Sequence, residues 1–355
     1  MLNRRKLLVS VAAAGSVALL PPPRARAAES PAKAWLDWMA ANRGNVGAMV
    51  DDGAGRTLAH RAAEPMVLAS AIKIVHLTAY AKAVAEGRLD PAEQIRVGDW
   101  DIRHPWVSDG GAHRQALTAL GIPCDQFGIA HDPERLVTLN QLAGAMILFS
   151  DNAAPDYLRH RLGHRALHEA AASGGWWRPD VRSLQGEVLQ LIMPELAGRT
   201  PAARRAVGDV LATKFIRSEQ FRRHTAERIP AMPATSDEQW PWTRGHGRGT
   251  AAKLAALHRH VATTGGLARD HLERPLASRV PPGAVAVGFK GGSLPKTVTM
   301  GLTVRWPDGR IGSLALLLTG ISDEQQAAYE GFLTVGLDAL STPSGFDGLA
   351  RALGA

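Results

Sequence analysis

Cysteine is almost missing from this chain, with Cys124 alone among 355 residues. An intrachain disulfide is excluded, and so is a cysteine-based metal site. The simplest place for Cys124 is a half-buried loop. Histidines do not fill the gap, because His104, His113 and His131 lack metal spacing with nearby acids and read as loop residues. No metal and no cofactor is expected. The Walker, dinucleotide-binding and G-x-S-x-G patterns are missing too, as are internal repeats and low-complexity tracts.

Excess charge of one sign is missing from the body of the chain. The formal +8 is concentrated at the start, where Arg4, Arg5, Lys6, Arg24 and Arg26 stand without an acid. Taking those five from the 41 Lys and Arg leaves 36 basic against 33 acidic groups. Composition therefore gives no case for nucleic acid as a partner. Long apolar runs are missing after the N-terminus as well. The one there, from Leu7 to Leu20, follows Asn3-Arg4-Arg5-Lys6 and precedes Pro21-Pro22-Pro23 and a small-residue Ala25-Arg26-Ala27 site. Residues 1–27 thus read as a signal peptide, and the paired arginines point to twin-arginine export of a folded protein. The run is shorter than the ~20 residues of a spanning helix. A periplasmic or secreted protein without a stable membrane span after processing is expected, a retained anchor being the alternative.

What is present is patterned. Ser30 and Pro31 open a helix over Ala32 to Ala41, and Val46 to Val50 with Thr57 to Arg61 flank an Asp52-Gly53-Ala54-Gly55 turn as a hairpin. Ser70 to Ala85 is apolar on nearly every side, which marks a buried helix, with Gly87 as its stop. Residues 99–133 read as an inserted irregular region. Thr138 caps a helix to Phe149, a second runs from about Pro155 to Leu162, and residues 173–250 hold helical patches such as Ala202 to Phe215. Beyond the helix from Thr250 to Thr263 the period changes to two, through Val285, Val287 and Phe289, then Val298 to Val304, then Ile311 to Leu317 after Pro307-Asp308-Gly309. Ser322 and Gln325 form a capping box for a last helix to about Leu340. The expected class is α/β of the α+β type. An antiparallel sheet is built from both termini (about 30–69 and 250–345), and a mostly helical lobe (about 70–249) is inserted between them.

Three elements carry chemistry: Ser70-Ala71-Ile72-Lys73, Ser150-Asp151-Asn152 and Lys290-Gly291-Gly292-Ser293. S-x-x-K also occurs at Ser30/Lys33 and Ser293/Lys296, but only Ser70 opens a long buried helix. Spacing of three puts Ser70 and Lys73 on one helical face, at a terminus whose unpaired N–H groups favour developing negative charge. A Lys buried there has a lowered pKa and can act as base. Taken alone, the pair also fits a cap and a snorkelling lysine. Ser150-Asp151-Asn152 joins two apolar helices, where Ser150 can relay a proton and Asn152 can hold Lys73 or a substrate amide. An ordinary helix cap is the plainer account. Lys290 ends a strand and the two glycines let a ligand approach backbone.

In this order the three elements resemble the serine β-lactamase and penicillin-binding protein superfamily, class A β-lactamases most closely. The resemblance runs through most of residues 45–340 and includes MILFSDNAAPDYL, GTAAKLAALHRHV and VGFKGGS. It implies a β-lactamase-like catalytic domain over 28–355. Ser70 would be the nucleophile, Lys73 its base or proton partner and Ser150 the relay. Asn152, Lys290, Gly292 and Ser293 would be the substrate side, with an oxyanion hole at the N–H groups of Ser70 and Ser293. The implied partner is a small molecule, a β-lactam or a peptidoglycan-like peptide. Two departures stand out. Gly291 replaces the family's Thr or Ser, with Ser293 as a candidate substitute. Met193 falls where the family's water-activating Glu belongs, leaving Glu187 and Glu195 as candidates. The resemblance implies an acyl-Ser70 hydrolase of β-lactam or related amide bonds. D,D-peptidase or esterase activity and a non-turnover sensor remain open.

Overall fold

The structure, a computed structural model, describes residues 30–355, so the leader expected at residues 1–27 lies outside the described residues. Strands β1 (Val46–Asp51), β2 (Thr57–His60), β3 (Ala286–Leu294), β4 (Thr297–Arg305) and β5 (Ile311–Thr319) form one antiparallel sheet in the order β2-β1-β5-β4-β3. The first hairpin thus joins the C-terminal strands through β1 and β5, with Val50 opposite Leu314. The class and sheet construction expected from the sequence are found.

Period-two patterning divides the sheet's faces. Val46, Ala48, Val50, Met300, Leu302, Leu314 and Leu316 pack with Trp35, Met39 and Phe332. These rings and side chains come from helices α1 (Pro31–Ala41) and, near the C-terminus, Tyr329–Ser341. Ala315 and Leu317 face the opposite way, into a core shared with α2 (Lys73–Ala85) and with Leu254 and Leu257 of the helix Ala251–Thr264. A third apolar cluster, with Leu191, Met193, Leu211, Phe215 and Trp242, holds together the helices Leu184–Ile192, Pro201–Arg217 and Ser236–Arg244. Among the described residues no helix is long and apolar enough to cross a membrane.

Several boundaries move. The helix expected from Pro155 starts at Ala153 and continues to Ser173 across a break at Gly163, whose φ of 76° and ψ of 161° only glycine adopts readily. The Ser322 capping box is present, but its helix stops at Ala327, and separate helices follow over Tyr329–Ser341 and Pro343–Leu353. Lys290 does not end its strand: β3 runs on to Leu294. The irregular region contains the short helices Val97–Asp101 and Ala112–Ala119.

Candidate active site

Ser70 sits in a 3-10 turn, Ala69–Ile72, that leads directly into α2. Ala69, just before it, has φ of 47°, a conformation that costs a non-glycine residue on the order of 1–3 kcal/mol. Neighbours hold it there: Thr299 Oγ1 on β4 donates to the Leu68 carbonyl at 2.9 Å. Gly292 on edge strand β3 abuts the same turn, so that a Cβ there would stand 2.5 Å from the Ser70 nitrogen. Gly292 is therefore required by the close approach of the Ser70 turn itself, whereas the sequence pattern alone has it admitting a ligand.

Helical spacing does bring Lys73 to Ser70. Lys73 is fully buried, and its Nζ lies 2.8 Å from Ser70 Oγ, 2.6 Å from the Ser150 carbonyl, 2.6 Å from Asn152 Oδ1 and 3.1 Å from Ser150 Oγ. It does not snorkel. Burial lowers its pKa to about 7 against the opposing charges of Asp151, Asp109 and Asp156. A neutral amine has two protons, and the Ser150 carbonyl and Asn152 can accept both. Its lone pair is then left for the Ser70 hydroxyl.

Ser150 has φ of 63°, which turns its side chain and carbonyl toward Lys73. Asp151, just before the N-cap Asn152, accepts from the first-turn Ala154 N–H at 2.5 Å, while Asn152 makes no capping bond with its own side chain. Lys290 Nζ donates to Ser150 Oγ at 3.0 Å and to the Gly291 carbonyl at 2.8 Å. Burial, and then the neighbouring Lys73, push its pKa well down. Among the described residues neither lysine makes an ion pair; every partner is neutral.

Position 291 is not simply a missing hydroxyl. A Cβ at Gly291 would run into Tyr329 Oη and stand 2.7 Å from the Phe289 ring. Tyr329 donates to the Thr299 carbonyl at 3.0 Å, so the space is filled from the helix Tyr329–Ser341. Ser293 Oγ already accepts from Gln326 Nε2 at 2.7 Å.

The carboxylates considered for water activation are engaged elsewhere. Glu187 is buried and paired with Arg182 at 2.9 Å and Arg204 at 3.4 Å. Glu195 is exposed and pairs with Arg228 at 2.7 Å. Met193 is fully buried in the third apolar cluster. The reading of His113 as a loop residue is corrected: it is fully buried, its Nδ1 2.6 Å from Asp151 and its Nε2 2.8 Å from Asp101. His104 is buried too and stacks on it. The partners of His113 lie 12 and 38 residues away, beyond any motif spacing. Cys124 is half-buried in a loop as expected. Groups of His, Cys, Asp and Glu able to hold a metal are not found among the described residues.

The model of the beta-lactamase enzyme family matches residues 30–277, well over half of the chain. No curated protein sequence matches it. Among solved structures, a beta-lactamase from Sphaerobacter thermophilus is 19% identical with a TM-score of 0.54, the match covering 88% of this chain and 97% of that one. A beta-lactamase from Chitinophaga pinensis is 14% identical with a TM-score of 0.53, covering 86% and 99%. An ancestral class A beta-lactamase is 19% identical with a TM-score of 0.50, covering 87% and 97%. At these identities the likeness speaks for the fold.

Proposed function

This chain belongs to the beta-lactamase enzyme family, and on that premise we propose that it is an exported serine hydrolase that opens β-lactam or related amide bonds through an acyl-Ser70 intermediate. The observation that carries the reading is the buried Lys73 with its pKa near 7 and its Nζ 2.8 Å from Ser70 Oγ. Neutral Lys73 takes the hydroxyl proton as Ser70 Oγ attacks the carbonyl carbon. The N–H groups of Ser70 and Ser293 receive the oxyanion. The proton then passes from Lys73 through Ser150 Oγ, 3.1 Å away, to the leaving nitrogen as the amide C–N bond breaks. Lys290, 3.0 Å from Ser150 Oγ, supplies positive charge to a substrate carboxylate, and Asn152 holds Lys73 and the substrate amide. No metal or cofactor enters these steps. The leader at residues 1–27 would carry the folded domain of residues 28–355 out by twin-arginine export, leaving it periplasmic or secreted.

A second reading is supported by the arginine pairing of Glu187 and Glu195 and the apolar setting of Met193. Without a carboxylate to activate water, acylation outruns deacylation. The natural reaction is then D,D-peptidase-like or esterase-like on a peptidoglycan-like peptide, or binding without turnover. Intact-mass analysis after mixing with a penicillin tests both. A Ser70 adduct that forms and clears supports the hydrolase, and one that persists supports the second reading. Ser70→Ala should abolish the adduct and Ser30→Ala should leave it. An adduct in Ser70→Ala would overturn the assignment.

A further inference from the structure

Behind the Ser150-Asp151-Asn152 turn lies a charge network that the reaction above does not use. Asp151 is fully buried and accepts from three sides: Trp100 Nε1 at 2.9 Å, the Ala154 N–H at 2.5 Å and His113 Nδ1 at 2.6 Å. The other ring nitrogen of His113 lies 2.8 Å from Asp101 Oδ1, and Asp101 Oδ2 accepts from the Ala130 N–H at 2.7 Å. An imidazole between two ionised carboxylates donates from both nitrogens, so it carries a proton on each and a positive charge. A neutral ring would leave one buried carboxylate facing a lone pair.

We propose that His113 is a positioning residue for the Ser70 chemistry: its imidazolium fixes the Asp151 turn that carries Ser150 and Asn152, and it offsets the carboxylate charge acting on Lys73. Its kinetic consequence rests on the acyl-Ser70 reading; the charge state of the ring does not. Asp151 links the ring to the site, bonded to His113 by its side chain and adjacent in sequence to the two residues that hold the Lys73 amine.

The surroundings support the assignment. Burial alone would lower the His113 pKa, but the Asp151 and Asp101 carboxylates outweigh it and raise it to about 10. Burial would likewise raise Asp151, yet His113 holds it below the usual range. His104 stacks on His113 at 4.7 Å, and Trp100 meets it edge-on at 4.9 Å. Burial lowers the His104 pKa, with His113 adding to that and Asp109 opposing it. Asp109 accepts the His113 backbone N–H at 2.9 Å and lies 3.7 Å from His104. Lys73 itself faces Ser70, Ser150 and Asn152, with Lys290 from β3 behind Ser150 and the buried His76 one turn along α2. The acids that act on it are Asp151, Asp109 and Asp156, and of these only Asp151 has His113 as its counter-charge.

Two measurements on the whole mature protein test the proposal. In a histidine-labelled sample at pH 8, nitrogen-15 spectra should show the His113 ring protonated on both nitrogens, and a ring with one proton would overturn the proposal. In a lysine-labelled sample, His113→Asn keeps a donor toward Asp151 but removes the charge, so Lys73 should titrate about one pH unit higher. Asp109→Asn removes an acid and should shift Lys73 the other way. Acylation by a penicillin should follow: with a base moved from about pH 7 to about 8, His113→Asn should be about five-fold slow at pH 7 and near the parent rate at pH 9. A loss equal at both pH values means that His113 serves the fold alone and overturns the proposal. If His113→Asn does not fold, the ring spectrum of the parent decides alone, and a singly protonated His113 at pH 8 overturns the proposal. A parent protein that forms no penicillin adduct would defeat the acyl-Ser70 reading, while the two titrations still decide the role of His113.

Discussion

Two buried charge clusters in this molecule are built on opposite plans. Around Glu187 the acid is matched by Arg182 and Arg204, with His246 at 3.7 Å. Around Ser70 two lysines are buried with no acid paired to either, held by hydroxyls, carbonyls and an amide. A buried charge is tolerable when it is paired, and costly otherwise. The Glu187 cluster follows that rule and ties the helices Leu184–Ile192 and Pro201–Arg217 together. The lysine cluster does not, and the protein answers by lowering both pKa values, which leaves a base free to accept a proton. The two clusters are therefore distinguishable by what their removal does: chemistry in one case, stability in the other.

The largest expected effect is on Lys73. Lys73→Met should slow penicillin acylation about 10²–10⁴-fold, the usual contribution of a general base, as followed by mass spectrometry. Stability should move the other way with pH. The Lys73 pKa is about 7 when folded against an ordinary 10.5, so protons favour the unfolded chain throughout that window. The parent should lose stability relative to Lys73→Met as pH falls from about 10.5 to about 7, and denaturant melts at pH 7 and 10 check the sign. Glu187→Gln should do the reverse. It breaks a buried pair and should cost about 3–5 kcal/mol while leaving the adduct kinetics alone. An adduct that clears in the parent but accumulates in Glu187→Gln would make Glu187 a water-activating base and erase the contrast.

Lys290 sharpens the comparison within the lysine pair. A charge-assisted hydrogen bond to a substrate carboxylate is worth roughly 1.5–3 kcal/mol. Lys290→Ala should then lower kcat/KM or the acylation rate about 10–150-fold for penicillins. A neutral ester should suffer much less. Equal losses would mean that Lys290 serves Ser150, 3.0 Å away, rather than the substrate.

How much of this the sequence discloses depends on the range of the contact. Ser70 and Lys73 share one turn, so helical spacing alone brings them together, and the order of the three elements carries the fold. The strand carrying Lys290 is legible from its alternation, but it runs four residues further than expected and so carries Gly292 as well. His113 was not legible as a site residue, because its partners are fixed by tertiary packing across 12 and 38 residues. Tyr329 was missed for the same reason, reaching the Thr299 carbonyl from a helix 30 residues on.

That miss changes what position 291 means, and the smallest expected effect tests it. From sequence alone, Gly291→Thr restores a family hydroxyl and with it some preference for carboxylate-bearing substrates. A β-branched residue also suits a strand better than glycine, by up to about 1 kcal/mol. Against this, the new Cβ would run into Tyr329 Oη and the Phe289 ring, both backed by the apolar cluster beneath the sheet. Overpacking of this kind costs typically about 1–3 kcal/mol, so steric crowding should win. Gly291→Thr should unfold at lower denaturant than the parent and gain no carboxylate preference. Adding Tyr329→Phe removes the hydroxyl that stands in the way and should recover part of the loss, although it also gives up the bond to Thr299. A Gly291→Thr protein as stable as the parent, with faster acylation by penicillins than by a neutral ester, would show that the strand edge can move. Position 291 would then be an empty half of the carboxylate site rather than ground that Tyr329 already holds.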